Sequence, residues 1–196
     1  MNTTTRLAIF VTGGGTNCEN IIRYFMDKPD VEIPIVVSSR SDAYALVRAE
    51  QLGVPTAVIT RTQLNEEPER VMATVAGCDY IILAGFLPKV PLYLIEAFPN
   101  RIINIHPALL PKFGGKGMWG HHVHEAVKAA GERVSGITIH FVNAELDEGE
   151  HIAQFWIKLP RTRALASVKK AFCERIGQID RDFKGQTRII LDVDPA

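Results

Sequence analysis

The chain has 196 residues, 46% apolar and 22% charged, which is enough to bury one domain's core without metal or disulfide staples. Its 22 Lys and Arg balance 22 Asp and Glu, so net charge gives no support to a nucleic-acid partner or an anionic membrane. Cys18, Cys78 and Cys173 stand far apart with no C-x-x-C pair, a pattern that suggests neither a zinc site nor a disulfide framework and fits a reducing compartment.

Leu7 to Val11 is a continuous apolar run, as expected of a central parallel strand covered on both faces. It stops at Thr12-Gly13, too short to span a membrane and without a small-residue cleavage pattern, so a cytoplasmic location is expected. Gly13, Gly14, Gly15, Thr16 and Asn17 follow, and Cys18, Ile21, Ile22, Phe25 and Met26 then recur at helical spacing. Thr16 and Glu19 form a capping-box pattern. Strand, glycine loop and helix N-terminus together suit a phosphate, held by backbone N–H groups and the helix dipole. The dinucleotide fingerprint is incomplete: Cys18 stands where its third glycine belongs, and the next strand, Ile33 to Val37, ends in Ser38-Ser39-Arg40 rather than an acid. No Gly-Lys-Ser/Thr follows, so a Walker loop is excluded. A monophosphate site is preferred over a plain tight turn.

Asp42 is expected to cap the next helix, with Ala43, Leu46, Val47 and Leu52 inward and Gly53 ending it. Val54 to Ile59 reads as a third strand, and Thr62 to Ala76 as a charged helix made imperfect by Pro68. Tyr80 to Ala84 is a fourth strand with the exit loop Gly85-Phe86-Leu87-Pro88, and Pro91 to Ala97 is a short helix. Then comes Arg101-Ile102-Ile103-Asn104-Ile105-His106, an apolar strand whose end carries an amide and an imidazole on one face, followed by Pro107 and Pro111. An amide donor beside an imidazole can hold a developing oxyanion and handle a proton; the alternative is that both merely satisfy loop backbone groups. Alternating strands and helices imply an α/β, doubly wound, mostly parallel Rossmann-like sheet. The glycine loop, Gly85-Phe86 and Asn104/His106 all fall at strand carboxyl ends, where such sheets bind ligands.

The loop from Phe113 to Gly120 is glycine-rich and suited to fold over a ligand. The helix His121 to Ala130 carries His121, His122 and His124 without a H-E-x-x-H pattern, so surface histidines are expected rather than a metal site. Val134 to Val142 alternates Ile137, Ile139 and Phe141 against His140 on the other face, and His151 to Leu159 returns as its antiparallel partner at one sheet edge.

Five segments occur in order: Gly13-Gly14-Gly15-Thr16-Asn17, Ala84-Gly85-Phe86-Leu87, Asn104-Ile105-His106-Pro107-Ala108-Leu109-Leu110-Pro111-Lys112-Phe113, Ser135-Gly136-Ile137-Thr138-Ile139-His140-Phe141-Val142, and Glu145-Leu146-Asp147-Glu148-Gly149. As a set this resembles the folate-dependent phosphoribosylglycinamide formyltransferase family, over roughly residues 6 to 157. His106-Pro107, where formyltetrahydrofolate hydrolases usually have His-His, favours this family within the wider formyltransferase fold, as does the absence of an Arg-Gly-Ala continuation typical of methionyl-tRNA formyltransferases. The resemblance implies a single domain over 1–196. About 1–100 would form a phosphate-binding half, about 101–160 a catalytic and folate-binding half, and 160–196 an atypical C-terminal helix and tail. It implies Asn104, His106 and Asp147 as the catalytic trio, and Gly13 to Asn17 as the phosphate cradle for glycinamide ribonucleotide. Phe86, Leu87, Lys89, Val90, Val142 and Asn143 would line the pocket of 10-formyltetrahydrofolate, the formyl donor. Glu174 matches a family substrate ligand. No metal, nucleic acid or membrane is implied, and a monomer or weak homodimer is expected.

The chain departs from the family in a longer stretch between Phe113 and His124 and in everything after about Ile157, where Leu165, Val168, Phe172 and Ile176 keep a helical period. Two other classes stay open: an NADP-using reductase, motivated by the glycine loop and Arg40, and a non-catalytic binder of phosphate ligands.

Overall fold

The computed structural model describes residues 4–114, 121–132, 134–143 and 151–158. The predicted site residues Asp147 and Glu174, the loop at 115–120, the acidic turn at 144–150 and the segment from 159 onward lie outside the described residues. In chain order the elements are β1 (Thr5–Val11), α1 (Thr16–Phe25), β2 (Val31–Ser38), α2 (Tyr44–Gln51), β3 (Thr56–Val58), α3 (Arg61–Glu66) and α4 (Pro68–Thr74). They continue with β4 (Tyr80–Leu83), α5 (Leu92–Ala97), β5 (Ile102–His106), α6 (His121–Ala129), β6 (Val134–Phe141) and β7 (His151–Lys158).

The strands form one sheet in the order β3-β2-β1-β4-β5-β6-β7. The first five are parallel to one another, and β6 and β7 add antiparallel at the end. β1 explains the architecture in miniature. Ala8 and Phe10 join one buried cluster with Ile81, Ile102, Leu64, Val71 and Leu94. Ile9 and Val11 join another with Cys18, Ile22, Ala45 and Ala49. The all-apolar run therefore serves two layers, α3 to α5 on one face and α1 with α2 on the other. Phe10 is fully buried, and truncating such a side chain costs about 3–5 kcal/mol. Burial also pushes the Cys18 thiol, with help from Glu19, up to about 12, so it stays protonated at neutral pH. No helix among the described residues is long and apolar enough to cross a membrane.

Because the sheet runs outward from β1 and β4 in opposite directions, the switch point, where sheets of this kind bind ligands, lies between their carboxyl ends. Two tethers join the segments that leave the strands there. Thr12 and Ser39 share a buried hydroxyl hydrogen bond of 2.8 Å, and the Leu87 N–H donates to Thr12 Oγ1 at 3.0 Å.

Several local expectations are corrected. The Thr16/Glu19 capping box does not form: Gly15 is the N-cap, in left-handed conformation, with no side-chain cap. Glu19 is held by two arginines instead. Asp42 does not cap α2; Ala43 occupies that position and Asp42 takes two hydrogen bonds from Arg40. Val47 is 41% exposed, and Ala45 and Ala49 face inward in its place. The predicted helix at 62–76 is two helices, since Pro68 starts α4 at Glu67. The capping box in this region belongs to Thr60 and Gln63.

Gly15 combines φ +78° with a built Cβ only 2.3 Å from Ala45 Cβ. Gly15→Ala should lose about 3 kcal/mol from the left-handed backbone and the overpacked α1–α2 contact. Thermal melting of the purified variant checks this; an unchanged melting temperature would contradict the contact.

Candidate active site

Asn104 and His106 end β5 on the face that Ile102 shares with the α3–α5 core. Antiparallel pairing sets His140 opposite Asn104 and Thr138 opposite His106. One short stretch of two strands therefore carries an amide, two imidazoles and a hydroxyl on a single face. Among the described residues the buried polar side chains are Thr12, Ser38, Ser39, His106, Thr138 and His140. All of them stand at the carboxyl ends of β1, β2 and β5 or on the β6 segment paired to β5. Other polar residues of the described strands, such as Arg6, Glu32 and Thr56, are not buried, so the carboxyl end is where polar groups are kept from water.

The hydrogen bonds fix orientations. His140 Nδ1–H donates to the Phe141 carbonyl at 3.0 Å, so in the neutral ring Nε2 is an acceptor. Asn104 Nδ2 donates to that nitrogen at 3.0 Å. This uses one of the two amide hydrogens and sets the plane of the other. His106 Nε2–H donates to the Phe113 carbonyl at 2.7 Å. Its Nδ1 is then the nitrogen left for chemistry, an acceptor in the neutral ring and a donor in the imidazolium.

The loop that carries Phe113 is itself fastened. Thr138 Oγ1 donates to the Ala108 carbonyl at 2.8 Å and accepts from the Leu110 N–H at 3.0 Å. Ala108 and Phe113 pack on Val123 and Val127 of α6. Lys112 pairs with Glu132 beyond α6. Thr138→Val, nearly the same shape without the hydroxyl, should cost about 2 kcal/mol and lower the melting temperature by about 5 °C, while Thr138→Ser keeps most of it. Equal melting of the Val and Ser variants would show that the hydroxyl does not fasten the loop.

The glycine loop leaves β1 at the same end of the sheet. Gly13 and Gly14 are exposed, and the Glu19 N–H donates to Gly15 O at 2.9 Å as α1 begins. Of the predicted folate-pocket residues, Leu87 is 51% exposed and Lys89 is exposed, while Val90 is buried. Phe86 meets Phe10 edge-on at 5.2 Å, and Val142 packs on the same core. Asn143 follows Val142 and is half-buried. Lys89 and Val90 border a groove of about 400 Å³ with Asn65, Pro91, Leu92 and Ile95. Asn104 and His106 do not line it, so this groove is not the reaction centre. Arg40, which motivated the reductase reading, is tied to Asp42 at 2.8 and 2.6 Å. His122 and His124 are exposed, and among the described residues no three His, Cys, Asp or Glu side chains gather to hold a metal ion.

Sequence reasoning placed His140 on the correct face but missed its bond to Asn104, and it missed Thr138 and Thr12 altogether. Two polar residues alternating with Ile137, Ile139 and Phe141 were the available signal. The cross-strand register that gives them meaning is tertiary.

A doubly wound sheet with a glycine loop and a polar β5–β6 edge defines a small-ligand α/β protein. A profile of the formyl transferase family matches residues 5–176, and the chain belongs to that family. It is 36% identical over 189 residues to the chloroplastic phosphoribosylglycinamide formyltransferase of Arabidopsis thaliana, covering 89% of this chain. It is 39% identical over 162 residues to that of Vigna unguiculata, covering 76% of this chain. The chain spans 65% and 50% of the lengths of these two relatives. Among solved structures, phosphoribosylglycinamide formyltransferase from Brucella melitensis matches with TM-score 0.74 and 30% identity, over 97% of this chain and 100% of that one.

Proposed function

We propose that the chain transfers the formyl group of 10-formyltetrahydrofolate to the amine of glycinamide ribonucleotide, a step of purine biosynthesis, in the cytoplasm. The observation that carries this reading is the presence on one face of β5 of Asn104, oriented by His140, and His106, oriented by the Phe113 carbonyl, one strand from the switch point. The names of its relatives point the same way.

The substrate amine attacks the formyl carbon, and the carbonyl oxygen gains negative charge. The second Nδ2 hydrogen of Asn104 and, in the imidazolium, the Nδ1–H of His106 donate to that oxygen. Preorganised donors lower the barrier because they need no rearrangement as charge develops. The bond from the formyl carbon to the folate nitrogen then breaks, and the amine proton ends on that nitrogen. Asp147 orients His106 and relays the proton through a water. Gly13, Gly14, Gly15, Thr16 and Asn17 hold the ribonucleotide phosphate, and Glu174 contacts the same substrate. Phe86, Leu87, Lys89, Val90, Val142 and Asn143 hold the pterin, and the exposed apolar Leu87 fits such a role.

The test is folate deformylation, followed by absorbance, with and without glycinamide ribonucleotide. Deformylation that requires the ribonucleotide supports the transferase. Equal rates without it would assign a hydrolase, and no rate in either case would favour a binding protein of the same fold.

A further inference from the structure

We propose that Arg48 is a positioning residue of the phosphate loop: it orients the Gly14 peptide and cancels the charge of Glu19, so that a phosphate can seat on Gly13 to Asn17. The inference rests on reading that loop as the ribonucleotide's phosphate site.

Glu19 poses an electrostatic problem. It lies in the first turn of α1, where a carboxylate complements the helix dipole. An anion bound at the same terminus uses the same positive end, so an ionised Glu19 opposes it. Two arginines answer this charge. Arg23, one turn on, donates to Glu19 Oε1 at 2.9 and 2.8 Å. Arg48 comes from α2 and donates through Nη1 to Glu19 Oε2. These bonds, from Arg23 first and then Arg48, hold the Glu19 carboxyl below its ordinary range, so it is charged whenever substrate binds. The Arg48 and Glu19 side chains are 27% and 19% exposed, so salt screens this pair less than a surface one.

Arg48 also acts on the loop directly. Its Nε donates to the Gly14 carbonyl at 3.0 Å, while the Ala45 N–H of the same helix donates to the Gly13 carbonyl at 3.1 Å. In a planar trans peptide the C=O and the following N–H point in opposite directions. Holding these two carbonyls toward α2 therefore turns the N–H groups of Gly14 and Gly15 away from α2. Arg48 is braced for the task by Tyr44, whose ring lies 4.9 Å from the guanidinium carbon. Among the described residues the hydrogen bonds of Arg23 go to Glu19 and those of Arg48 to both Glu19 and Gly14, so the two effects meet in Arg48.

Calorimetric titration of the full chain with glycinamide ribonucleotide, and separately with inorganic phosphate, tests this in four proteins. These are the parent, Arg48→Met, Arg48→Lys and the double variant Arg48→Met with Glu19→Gln. Arg48→Met should weaken both ligands by about tenfold, and Arg48→Lys, which keeps the charge but loses the directed bond, by about threefold. The double variant should regain about threefold, because the charge that Arg48 offsets is gone while the bond to Gly14 is still missing. Turnover at saturating ribonucleotide should move by less than about twofold, as expected of uniform binding. Melting curves separate misfolding from weakened binding. Ribonucleotide binding in the parent with equal affinity in Arg48→Met, or a double variant no better than Arg48→Met, overturns the role of Arg48 alone. A parent that binds neither ligand overturns the phosphate-site reading as well.

Discussion

On the proposed mechanism, Asn104→Ala will fold, melt a few degrees below the parent protein and lose about 100-fold in formyl transfer, the loss of about 3 kcal/mol that follows removal of one oxyanion donor. The side chain is half-buried and reaches only across to the neighbouring strand, so its structural share is small. His140 is 2% exposed, so losing the bond from Asn104 Nδ2 at 3.0 Å costs about 1–2 kcal/mol of stability. The catalytic share proposed for it is larger because the donor is fixed before the charge appears. The loss belongs in turnover, with the Michaelis constants for both substrates nearly unmoved, since the bond strengthens only in the transition state. Steady-state kinetics beside circular dichroism would decide it. A rise in Michaelis constant at unchanged turnover would make Asn104 a binding group instead.

His106→Ala has the larger expected effect, about a thousandfold in turnover, because the proposed mechanism has one ring both donate to the oxyanion and manage proton transfer. It will also be the less stable variant. His106 is 4% exposed, and its removal leaves the Phe113 carbonyl without the donor that now holds it at 2.7 Å. The loop from Pro107 to Gly114 keeps its Thr138 fastening and its contact with α6, so the fold survives with a melting temperature a few degrees lower. Turnover near the parent value in a folded His106→Ala would remove the histidine from the mechanism.

The strands of this protein were legible because a parallel sheet covered on both faces writes long apolar runs, as β1 and β4 do. Asn104 and His106 stood out for the complementary reason: polar side chains ending such a run break its rule. What escaped was whatever depends on a second segment. Glu19 and Asp42 have the right types and spacing for caps, but arginines offered stronger, charged partners. Gly15 took the N-cap because its left-handed backbone lets α1 approach Ala45, a contact no local pattern displays. Val47 sits at a helical position that would suit a wider apolar face, but the small Ala45 and Ala49 bring α2 close to the sheet and leave it outside. His140 and Thr138 acquired meaning only through the β5–β6 register. The sequence also joined Asp147 and Glu174 to this site by resemblance, and both lie outside the described residues.

The most direct test is product identity. The parent protein and His106→Ala would be incubated with 10-formyltetrahydrofolate and glycinamide ribonucleotide, and the ribonucleotide recovered for mass spectrometry. Formylated ribonucleotide from the parent and only a trace from the variant is the predicted result. Unmodified ribonucleotide from the parent, with the folate either intact or deformylated to free formate, would contradict the account.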